Sequence, residues 1–65
     1  MKACDKHIIQ TIEITEDMIE LANRGDEHRE DTGCGILYGV LRDAAYKLRR
    51  VAVIEREAHI RKGKW

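Results

Sequence analysis

The chain of 65 residues contains no proline, phenylalanine or serine, and only two cysteines and one tryptophan. Without proline, nothing covalent forces a helix to kink or stop, so its turns fall to Gly, Asn and Asp. Without serine, a Ser-His-Asp nucleophile is excluded. The cysteines, Cys4 and Cys34, form neither a Cys-x-x-Cys pair nor a disulfide framework. No run approaches 18 uninterrupted apolar residues, so no membrane span is expected. The opening Met1-Lys2-Ala3-Cys4-Asp5-Lys6-His7 is charged where a secretory leader needs its apolar stretch. The expectation is a cytoplasmic protein whose thiols stay reduced. Formal net charge is zero, which removes any global attraction to nucleic acid. No Gly-rich phosphate loop follows a strand, so no cofactor is expected, and so short a chain offers little volume for an enclosed active site. An enzyme is not expected.

What is present favours helices. Hydrophobic residues make up 43% and charged residues 37%, with Ala, Ile, Leu, Glu, Lys and Arg prominent. These side chains lose little rotamer freedom in a helix. The charge is divided in two. Residues 1–31 hold nine acids and four bases, a net of −5; residues 32–65 hold eight bases and three acids, a net of +5. The division falls at Thr32-Gly33-Cys34-Gly35, between two apolar-periodic segments. An acidic helix followed by a basic one predicts an all-α antiparallel hairpin, a single domain over residues 1–65.

Helix 1 is expected from about Asp5, an N-cap type, to about residue 24, with Gly25 as its stop. An alternative carries it to Asp31 with Gly25 tolerated inside. Ile8, Ile9, Ile12, Ile14, Met18, Ile19, Leu21 and Ala22 cover roughly half its circumference, broader than one helix–helix contact needs. The connection spans about residues 25–33. Helix 2 is expected over about 34–62, capped by Asp31 or Thr32 and stopped by Gly63. Its main seam reads Leu37, Leu41, Ala44, Leu48, Val51 and Ala58, flanked by Val40 and Ile54 on one side and Ala45 and Ala52 on the other. Gly35-x-x-x-Gly39 has the spacing of a close-approach device.

A fold of this size buries only about 60% of its unfolded surface. Small chains gain the rest from disulfides, metals or oligomerisation. A homodimer forming a four-helix bundle is therefore expected.

Candidate sites follow. Tyr46, Val53 and Ile60 repeat at heptad spacing among Arg42, Arg49 and Arg56, and Trp65 stands at the last position. They are read as a surface for an unidentified protein partner. The alternative uses Arg42, Arg49, Arg50, Arg56, Arg61 and Lys62, with Tyr46, to grip RNA or DNA. Cys34, between two glycines at a helix N-terminus, is a candidate reactive thiol beside His28. Cys4, His7, His28 and His59 are weak metal-ligand candidates. Cys4-x-x-His7 has ligand spacing but no second pair in the same chain, so no metal is expected.

Overall fold

A computed structural model describes residues 2–63 and 65. It holds two helices packed antiparallel, α1 (Ala3–Glu27) and α2 (Thr32–Arg61), joined by residues 28–31. The helices start and stop where the local chemistry dictates. Lys2, extended and without a side-chain cap, precedes α1, so Asp5 is not its N-cap. Asp5 lies instead inside the first turn, where its charge complements the positive helix end. α1 runs through Gly25 and ends at Glu27, with the His28 amide donating to the Gly25 carbonyl at 3.1 Å. The connection is thus four residues, shorter than the expected 25–33. α2 opens at Thr32 under an Asp31 cap, whose carboxylate accepts from the Cys34 amide at 2.8 Å. It closes where Gly63 turns into the left-handed region, φ +69°, and its amide donates to the Ile60 carbonyl at 3.0 Å.

Gly25 belongs inside α1 because of what lies against it. A Cβ there would overlap the Tyr38 ring, so only glycine admits the ring at this depth. Gly39, by contrast, has open space where its Cβ would stand, and Gly35 faces the Arg29 side chain. The Gly35/Gly39 pair is therefore not the device that brings the helices together.

The face of α2 that meets α1 also differs from expectation. Facing α1 are buried Ala45 and Ala52, with half-buried Tyr38, Arg42, Arg56 and His59. α2 is rotated toward the expected flank Ala45 and Ala52, leaving Leu41 and Ala58 of the expected seam half-buried and turning Leu37 (58% exposed), Leu48 (42%) and Val51 (58%) toward solvent. Two physical terms select this rotation. Ala52 leaves room for Ile8 and Ile12 of α1, which cluster with it and with Val53. Polar pairs then close at both ends of the hairpin only on this face.

The result is thin. The molecule measures 48 × 16 × 12 Å, one helix diameter deep. Its radius of gyration, 14.8 Å, exceeds the roughly 11 Å of a globular chain of this length. Among the described residues only Ile8, Ile12, Ala22, Ala45 and Ala52, with Asp5 and Thr15, are buried. Thr15 is satisfied locally, its hydroxyl donating to the Ile12 carbonyl at 2.6 Å. No helix among the described residues is long and apolar enough to cross a membrane.

Candidate interaction surface

Three surfaces carry the chemistry of this hairpin: two polar clasps inside the helix pair, an apolar face beside it, and a basic face opposite.

The clasps use side chains that sequence reading places elsewhere. At the open end, His59 Nδ1 lies 2.8 Å from Asp5 Oδ1 and Nε2 lies 3.0 Å from Glu55 Oε1. Asp5 is fully buried, and its Oδ2 has no hydrogen-bond partner among the described residues. A neutral imidazole has one N–H and can donate to only one of the two carboxylates. His59 is therefore a structural element of the helix pair and not a free ligand. At the turn end, Arg42 Nη2 donates to Asp26 Oδ2 at 2.6 Å and to Asn23 Oδ1 at 3.0 Å. That guanidinium, expected on the outer basic face, is used within the fold.

The apolar face is built from heptads. On α2, Leu37, Leu41, Ala44, Leu48, Val51 and Ala58 follow spacings of three, four and seven. They form a stripe beside the one that meets α1. Between the helices on this side runs an open groove of about 540 Å³, lined by Cys4, His7, Ile8, Thr11, Leu48, Val51, Ala52 and Glu55. Seven-residue steps from His7 and Thr11 reach Ile14, Leu21 and Met18, which continue the face along α1. Ile14 and Leu21 are exposed, as is Val40 on the rim of α2. α2 thus carries an apolar stripe beside the alanine, arginine and histidine face that meets α1, and the hairpin leaves much of that stripe uncovered.

On the opposite side, Tyr46, Arg49, Arg50, Val53 and Ile54 line a shallow depression. Tyr46 and Ile60 are about half exposed and Trp65 is exposed, whereas Val53 packs partly into the core. Arg49, Arg50, Arg61 and Lys62 are exposed and Arg56 is half-buried. The heptad Tyr46-Val53-Ile60 is therefore split between core and surface.

Cys34 sits on the first turn of α2, half-buried, with its amide already bonded to Asp31. The negative group that this helix end favours is supplied by Asp31 itself. The Cys34 amide, with the thiol and the Gly33 amide, holds the Asp31 carboxyl below the usual carboxylate range. Cys4 is exposed at the other end of the molecule. Among the described residues no three His, Cys, Asp or Glu side chains group to hold a metal ion. His28 lies in the connection, away from Cys4 and His7.

No family model, curated protein or solved structure matches the chain. The site must be read from its own geometry.

Sequence reasoning misses Asp5, Asn23 and Asp26 as structural partners. A signal for them exists. For Asp5 and Asp26 it is the heptad spacing 5, 8, 12, 15, 19, 22 and 26 in α1, matched in α2 by 38, 42, 45, 52, 56 and 59; Asn23 lies beside this ladder. The first ladder ends in acids at both extremes. The second meets them with His59 and Arg42.

Proposed function

We propose that this chain is a self-associating helical module: two hairpins join through their apolar faces into a four-helix bundle that serves structure or protein interaction. The observation that supports the reading is the stripe of Leu37, Ala44, Leu48 and Val51, left in solvent beside a groove that is mostly apolar. Contiguous apolar patches of this kind on small proteins mark interaction surfaces. A four-helix bundle gives every helix two neighbours, one for the face already paired in the hairpin and one for the apolar face left open. Tyr46, Ile60 and Trp65 stay outside that core as the surface for a further protein partner.

The nucleic-acid reading loses ground by comparison, because Arg42 is taken up by Asp26 and Asn23. Retention on RNA or DNA at low salt, abolished by reversing Arg49 and Arg50, would restore it.

Light scattering at micromolar concentration tests self-association. The expected mass is about twice the 7.5 kDa of one chain. Leu48→Glu places a charge in the apolar face at a position the single hairpin leaves accessible, so the expected product is a helical monomer. A wild-type mass of one chain overturns the reading.

A further inference from the structure

The second stripe carries orientation as well as affinity. Within the hairpin, Asp5 meets His59 (5 + 59 = 64) and Arg42 meets Asn23 and Asp26 (42 + 23 = 65 and 42 + 26 = 68), so residues whose numbers sum to the mid-sixties stand at about one level. Asp17 flanks the free stripe of α1 and Lys47 that of α2, and 17 + 47 is again 64. Both are exposed in the hairpin.

From this we infer, resting on the self-association proposed above, that the second copy packs with its twofold axis along the bundle. Each α1 then lies between two α2 helices, its own and that of the second copy. Both connections sit at one end. Every neighbouring pair is antiparallel, and each Asp17 meets Lys47 of the second copy across the outer edge.

Charge selects this arrangement over its main rival. With the twofold axis perpendicular to the bundle at the same level, α1 packs on α1 and α2 on α2. Asp17 then confronts Asp17 of the second copy and Lys47 confronts Lys47, while the −5 and +5 halves each face their like. Such like-charge neighbours oppose association. A third arrangement, setting α1 parallel to α2 of the second copy, turns the second copy's free face outward and so leaves it uncovered.

The two native cysteines report on the outcome. Cys4 and Cys34 both occupy free-stripe positions, seven residues before Thr11 and Leu41, at opposite ends of the same face. Two single-cysteine variants, Cys34→Ala and Cys4→Ala, are spin-labelled at the remaining thiol. The intermolecular distance is then measured by pulsed electron resonance. The expected result is a short distance from both, within about 25 Å, since like helices stand diagonally across a bundle whose neighbours are 8–10 Å apart, a separation of roughly 11–14 Å, and the label arms add the rest. In either arrangement with connections at opposite ends, each label is roughly 40 Å from its copy, at 1.5 Å per residue along the helix. Long distances in a sample that light scattering shows to be dimeric overturn the orientation and leave self-association standing. A monomeric mass overturns both.

Discussion

His59 holds the buried Asp5 carboxylate at 2.8 Å, tying the first turn of α1 to the last turn of α2 across 54 residues of sequence. Removing one member of a buried pair strands the other in a dry site. Asp5 already has one oxygen without a partner, so His59→Ala leaves a buried carboxylate with none. The expected loss is about 2–4 kcal/mol, read as a fall in the chemical denaturation midpoint. Glu55→Gln, at the exposed side of the same imidazole, is expected to cost about 0–1 kcal/mol. Equal effects from the two variants would show that the buried contact carries no special weight.

The two glycines Gly25 and Gly39 give opposite expectations for one substitution. Gly39→Ala fills open space in mid-helix and is expected to stabilise by about 0.5–1 kcal/mol through helix propensity. Gly25→Ala drives a methyl into the Tyr38 ring and is expected to destabilise by about 1–3 kcal/mol, the range for overpacking. Pairing it with Tyr38→Ala should recover most of that loss. Thermal melts of Gly39→Ala, Gly25→Ala, Tyr38→Ala and the double variant decide the matter, and additivity of the Gly25 and Tyr38 changes would rule out the clash.

Asp31 makes stability depend on acidity in one direction. Its folded carboxyl titrates below the ordinary value of 3.8, chiefly because the Cys34 amide donates to the charged form. The folded value is the lower one, so this contribution is present above about pH 4 and is lost as pH falls below it. Asp31→Asn keeps a capping side chain and should flatten that part of the acid limb. Asp31→Ala should lower the melting temperature at neutral pH as well. An unchanged acid limb in Asp31→Asn would assign the pH dependence to other carboxylates.

Arg42 is expected to behave as a structural residue. Arg42→Ala removes the partner of half-buried Asp26 and the contact to Asn23, and should cost about 1–3 kcal/mol. Arg49→Ala, at an exposed position, should change stability by less than about 0.5 kcal/mol. Urea unfolding of both variants separates the roles.

The two helices, the Asp31 cap and the Gly63 stop are legible in residue types alone, because capping chemistry is local. The pairing face is not. Hydrophobic periodicity identifies Leu37, Leu48 and Val51 as a face that wants burial, but periodicity does not say against what. In this hairpin α1 takes the neighbouring face, where Ala45 and Ala52 are buried, Ala52 leaves room for Ile8 and Ile12, and Arg42 and His59 find acids. Two stripes on one helix are distinguished only by their partners, and those lie far away in sequence. The same blindness hides Asp5: an acid near a helix start reads as a cap until the opposite helix end supplies a histidine.

The short connection also orders the events by which the molecule assembles and comes apart. Contacts beside the turn, such as Arg42 with Asp26, close a span of 16 residues, whereas His59 with Asp5 closes 54. On loop-closure entropy alone, making the far contact first costs about 1 kcal/mol more than making the near one. Assembly is therefore expected to zip outward from residues 28–31, with the histidine latch closing last, an order that amide exchange would report. Breathing runs the other way. Amides at the start of α1 and the end of α2 exchange with solvent first, and those flanking Gly25 and Tyr38 hold longest.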